Sequence, residues 1–106
     1  MSLRVITRDE AEADIAEAAL WYERRCGGLG REFVGAVDAC FDLIGAQPEA
    51  FPVVYRDARM APLRRFPYLV IYRVFADYVS VVAVMHGRRH PRRWKSRAPR
   101  GKRLSD

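Results

Sequence analysis

The apolar positions of this chain change period along its length, and each period names an element. Leu3 and Val5 alternate with Arg4 and Ile6, which predicts a short strand over 3–6. Ala11, Ile15, Ala18 and Tyr22 then recur at the spacing of one helix face. Thr7 with Glu10 three residues on reads as a capping box that opens this helix, and Asp9, Glu10 and Glu12 in its first turns complement the helix dipole. Gly27-Gly28 predicts its end, since glycine accepts a left-handed cap conformation. A second stripe, Leu29, Phe33, Val37, Cys40 and Ile44, predicts a helix over 29–46 that Gln47-Pro48 stops. Helices joined by so few residues pack antiparallel as a hairpin.

Beyond Phe51-Pro52 the pattern turns to strands. Val53–Arg56 and Met60–Phe66 are candidates, the second carrying Pro62 as the mark of an edge or bulge. Leu69–Phe75 and Val79–His86 are almost continuously apolar, which predicts cover on both faces of the first. Ala76-Asp77-Tyr78 joins them as an antiparallel hairpin. The order is β-α-α-β-β-β, an α+β fold in which an antiparallel sheet carries an α-helical hairpin on one face. The expectation is one domain over residues 1–97, with 98–106 a basic, disordered tail. No repeat or linker interrupts it.

Composition narrows the class. Half of the 106 residues are apolar, which is a globular composition. No apolar run reaches the length of a membrane span, and Met1-Ser2-Leu3-Arg4 opens straight into a strand with no apolar signal region, so a cytoplasmic protein is expected. Cys26 and Cys40 are too few and too isolated for a disulfide framework or a zinc site, and Cys40, on a helix's apolar stripe, reads as a buried free thiol. Metal-ligand spacing, a glycine-rich phosphate loop and a Ser/His/Asp arrangement are all missing from the sequence, so neither metal nor cofactor is expected.

Charge is more informative. The net charge is +6, but residues 1–50 carry ten acids against five arginines, and residues 51–106 carry fourteen Lys/Arg against three acids. The helical half is negative and the sheet half positive, a polarity that suits an acidic partner or nucleic acid. The densest cations bracket the strand hairpin: Arg64 and Arg65 ahead of it, His86, Arg88 and Arg89 after it. In an antiparallel pair the start of one strand lies beside the end of the other, so these five converge. Guanidinium groups bind phosphate or carboxylate bidentately, and histidine moves protons near neutral pH. The plainer reading makes them solvated strand ends, some paired with Asp57 or Glu49. Trp94, inside a basic stretch running from Arg92 to Arg103, stacks a base or packs on the sheet edge. Trp21 lies off the first helix's stripe; it either packs against the domain or contributes to a partner groove.

Trp21-Tyr22-Glu23, Gly30-Arg31-Glu32-Phe33, Pro48-Glu49-Ala50-Phe51-Pro52, Arg64-Arg65-Phe66-Pro67-Tyr68-Leu69-Val70-Ile71-Tyr72 and His86-Gly87-Arg88-Arg89, in this order, resemble the RelE/ParE superfamily of toxins from type II toxin–antitoxin pairs. The resemblance covers residues 3–97. It implies either a RelE-like ribosome-dependent mRNA endoribonuclease or a ParE-like poison of DNA gyrase that is not itself an enzyme. RelE-like toxins use several basic residues and a late tyrosine. Here Leu69 follows Tyr68, Met60 and Pro62 stand where lysines would, and Trp94 stands at the late tyrosine. Cleavage by 2′-hydroxyl attack needs a base, an acid and cations on the phosphate. His86 with Arg64, Arg65 and Arg88 is the set left for that work, and a leucine contributes nothing to it. The resemblance therefore leans to the ParE-like branch. It implies a target surface at Arg64, Arg65, His86, Arg88, Arg89 and Trp94, and a cognate acidic antitoxin contacting Trp21 and Arg73.

Overall fold

In a computed structural model, which describes residues 2–88 together with Lys95 and Arg97, five strands and two helices follow the expected order. They are β1 (Arg4–Thr7), α1 (Asp9–Arg25), α2 (Leu29–Ala46), β2 (Val53–Tyr55), β3 (Ala58–Pro62), β4 (Tyr68–Val74) and β5 (Tyr78–His86). The strands form one sheet in the order β1-β5-β4-β3-β2. Three of its pairings are antiparallel, as expected, but β1 lies parallel to β5 with Thr7 opposite Val81. The helical hairpin supplies the crossover that a parallel partner requires. The expected tail, 98–106, lies outside the described residues.

The helices bury their stripes as the spacing demands. Phe33, Val37, Cys40 and Ile44 of α2 and Ala11 and Ala18 of α1 meet Val70, Tyr72, Val79, Val81 and Val84 of the sheet. Burying each larger apolar side chain contributes about 1.5–3 kcal/mol. A second cluster, Ala58, Ile71, Val82, Ala83 and Met85, forms on the opposite face, so β4 and β5 are covered on both sides. A bulge in β5 makes this possible. Ile71 pairs with Ala83 and Tyr72 with Val81, leaving Val82 as an extra residue that shifts the alternation.

Three local expectations change. Thr7 does not cap α1: it is held as the last residue of β1, and Arg8 takes the cap position without a side-chain bond. Arg8 instead donates its N–H to Val81 O and accepts that of Glu12, so chain pairing fixes the helix start. Gly27-Gly28 does not cap α1 either; the helix ends at Arg25 and Gly28, at φ 90°, opens α2. Finally β3 ends at Pro62 rather than Phe66. The Leu63 N–H turns to Tyr68 O, and Arg65 takes φ 71°, so 63–67 is the loop into β4.

Candidate functional site

Tyr68 and His86, first residue of β4 and last of β5, stand directly opposite each other, their rings 5.4 Å apart edge to face. This is the convergence expected of an antiparallel hairpin. Gly87 closes it by donating its N–H to Pro67 O at 2.8 Å. Arg64 and Arg88 are exposed on the two sides of this junction. Arg65 is held by Glu32 of α2 at 2.9 Å, across more than half of each side chain's solvent exposure, so the pair is weak. The Nδ1 of His86 accepts the Arg88 N–H at 3.1 Å, which leaves Nε2 to carry the proton of the neutral ring. Arg89 and Trp94 lie outside the described residues.

The plainer reading of the cluster named Asp57 and Glu49 as partners. Asp57 instead takes Arg73, with Nε and Nη2 both at 2.8 Å, and the carbonyl of Glu49 accepts from Arg59. Arg73 is 8% exposed and ties β4 to the β2–β3 turn. It sits about 17 Å along β4 from Tyr68, so Arg73 and Trp21 do not form one patch. Trp21 is 49% exposed, which excludes core packing. The Arg25 guanidinium lies 4.4 Å over its ring and Tyr22 meets its edge at 5.1 Å.

Trp21 is one wall of a groove of about 480 Å³ between α1 and the ends of β4 and β5, with Ala18, Tyr22, Tyr68, Met85 and His86. An aromatic cluster makes its floor rigid: Tyr22 packs on Phe66 at 4.9 Å and Phe33 on Tyr68 at 5.1 Å. Burial raises the Tyr22 phenol, with neighbouring Tyr68 adding to the effect, so Tyr22 stays a neutral donor at physiological pH. Asp14 and Glu17 line one end. There Asp14 accepts the Val84 N–H at 3.1 Å and the Arg97 guanidinium at 2.7 Å, and Arg97 reaches Val82 O at 3.5 Å. Both backbone groups belong to the part of β5 that extends past β1, where among the described residues β4 flanks it on one side and no strand does on the other.

Sequence reasoning missed a second source of cations. The turn between the helices lies at the same end of the molecule, because Glu32 meets Arg65 and Tyr22 meets Tyr68. Arg24 and Arg25 of α1 and Arg31 of α2, all exposed, therefore join Arg64, Arg65 and Arg88. The acids there are engaged. Glu23 accepts the N–H groups of Gly28 and Gly30, which hold its carboxyl below the usual range. The charge is thus polarised between ends of the molecule as well as between layers. The signal was available: a helical hairpin whose turn overlies the start of β4 must carry its flanking arginines there. Among the described residues no cluster of three or more His, Cys, Asp or Glu could hold a metal ion, and no helix is long and apolar enough to cross a membrane.

Comparison with known proteins agrees with this architecture. Residues 5–91 match the family model of the ParE toxin of type II toxin–antitoxin system, parDE. Toxin ParE2 of Mycobacterium tuberculosis, in strains CDC 1551 / Oshkosh and ATCC 25618 / H37Rv, is 30% identical over 92 residues, 86% of this chain and 88% of the relative. A chain of the chromosomal ParDE TA system from P. aeruginosa shares the fold with a TM-score of 0.71 at 16% identity, covering 80% of this chain and 96% of that one. With the family model spanning both helices and all five strands, the chain belongs to the ParE toxins of type II toxin–antitoxin systems.

Proposed function

We propose that this toxin arrests growth in the cytoplasm by poisoning DNA gyrase, without being an enzyme itself, and that a cognate acidic antitoxin neutralises it. One observation carries the reading: among the described residues, Met60, Pro62 and Leu69 stand where RelE-like toxins place cations. Leu69, beside Tyr68 on β4, and Met60, opposite Ile71 on β3, are packed against the apolar cluster of Ile71, Val82 and Met85, so two of these positions carry buried hydrocarbon. The structural relative from P. aeruginosa belongs to a ParDE system, which supports an antitoxin partner. The groove walled by Trp21 and Tyr22 supports its docking place, since exposed aromatic side chains beside a concave apolar surface are the usual anchors of a protein interface.

The test is a supercoiling assay with purified gyrase. The toxin should inhibit supercoiling or trap cleaved DNA, and added antitoxin should restore the reaction, while transcripts in cells expressing the toxin stay intact. Unimpaired supercoiling at excess toxin rejects the gyrase target, and fragmented transcripts would favour the endoribonuclease.

A further inference from the structure

We infer that the arginine-rich end of the molecule is a binding surface for the phosphate backbone of duplex DNA. The choice of DNA among phosphate polymers rests on the gyrase reading above; the surface itself rests on the following geometry.

Four chain segments deliver cations to one end: Arg24 and Arg25 from the last turn of α1, Arg31 from the first turn of α2, Arg64 and Arg65 from the β3–β4 loop, and Arg88 from the exit of β5. All six are arginine, the side chain whose planar fork matches phosphate oxygens. The two acids among them are occupied, Glu23 by backbone N–H groups and Glu32 by Arg65. Among the described residues Arg24, Arg64 and Arg88 make no ion pair. The loop that presents Arg64 turns Leu63 and Phe66 inward, at 7% and 9% exposed, and leaves Arg64 and Arg65 outward between them.

The same end is poorly suited to single strands. Unpaired bases bind by stacking on open aromatic faces. Here Tyr22, Phe33, Phe66 and Tyr68 pack against one another, Tyr22 on Phe33 face to face and the other pairs edge to face, and Trp21 already has the Arg25 guanidinium 4.4 Å over its ring. A duplex asks only for cations facing regularly spaced phosphates, which position a protein without reading sequence.

The experiment measures fluorescence anisotropy of a labelled duplex of about 20 base pairs of arbitrary sequence with the full-length toxin; for about five phosphate contacts, affinity should fall by roughly 10²- to 10³-fold between about 50 and about 200 mM salt. Replacing Arg24, Arg64 and Arg88 together by alanine should lower the magnitude of the logarithmic salt slope by about three. Replacing Arg4, Arg8 and Arg56 together removes the same charge elsewhere and should leave the slope near that of the unaltered toxin. Equal losses in the two triple variants, no binding at low salt, or tighter binding of a single strand of the same length would overturn the inference. Duplex binding with the expected pattern supports the surface even where gyrase is unaffected, an outcome that rejects the gyrase reading alone. Gyrase arrest combined with duplex binding indifferent to the Arg24, Arg64 and Arg88 changes rejects the surface alone.

Discussion

Asp14 and Arg97 stand 83 positions apart in the chain and meet at 2.7 Å, with side chains 13% and 19% exposed. The pair joins α1 to the end of the domain. Because Asp14 also accepts the Val84 N–H, and Arg97 donates to Val82 O, each partner completes the edge of β5 as well as the other's charge.

Asp14→Ala strands a part-buried guanidinium and a backbone donor together, and should destabilise the fold by about 1–3 kcal/mol in urea titration. Asp14→Asn keeps an acceptor for Val84 and should cost less. In a double-mutant cycle with Arg97→Ala, the two losses should fall short of additive; strict additivity would mean the contact carries no energy.

Two helical glycines of α2 should respond oppositely to alanine. A Cβ at Gly30 would lie 2.6 Å from Ala19 O, a backbone atom of the facing helix, whereas one at Gly35 meets nothing within 4 Å. Gly35→Ala should stabilise by about 0.5–1 kcal/mol, through lower unfolded-state entropy. Gly30→Ala should force the helices apart and lower the thermal midpoint, by more than the Gly35 change raises it.

Stability should decline at alkaline pH in two stages. Burial pushes the Cys40 thiol up to about 11 and the Tyr72 phenol up to about 12, from ordinary values of 9.0 and 10.0. Both groups hold their proton longer folded than unfolded. Their contribution is therefore complete below pH 9 and is lost as pH rises, first for Cys40 between 9 and about 11, then for Tyr72 between 10 and about 12. Cys40→Ala should remove the first stage, worth about 2–3 kcal/mol, though it lowers stability at neutral pH by leaving a cavity. Chemical denaturation at a series of pH values reads both effects.

Trp21→Ala should leave the toxin's own thermal midpoint within a few degrees, because half the ring is already in solvent. If the groove holds the antitoxin, the same change should weaken the complex by about 2 kcal/mol, roughly thirtyfold in calorimetry. An unchanged affinity would move the antitoxin elsewhere.

Much of this was legible in the chain. The meeting of Tyr68 and His86 follows from two apolar runs and a short connection, and α2's buried face follows from Phe33 through Ile44 at helical spacing. What escaped depended on contacts distant in sequence. Thr7 had the chemistry of a cap, but its pairing with Val81 kept it in a strand. Arg73 entered only as an implied antitoxin contact, and its hold on Asp57, from a turn of no marked pattern, was not legible. Helical spacing put Tyr22 on the buried stripe and Trp21 off it; what it left open was whether Trp21 packs on the domain or walls a groove, which the ends of β4 and β5 decide. Arg24, Arg25 and Arg31 sat in the acidic half of the chain, and a tally by halves concealed that the hairpin turn carries them to the basic end.

The mismatch between β1, with four residues, and β5, with nine, has a consequence for how such a protein coexists with a changing partner. A strand flanked along only part of its length offers a ledge of main-chain groups, and main-chain groups are indifferent to the side chains of whatever lies against them. Past β1 that ledge is met from within the chain, Asp14 taking the Val84 N–H and Arg97 the Val82 carbonyl, so a partner segment entering the groove beside Trp21 would be read there by side chains. The toxin's own constraint would then fall on Asp14 and Arg97, which cover the ledge from within.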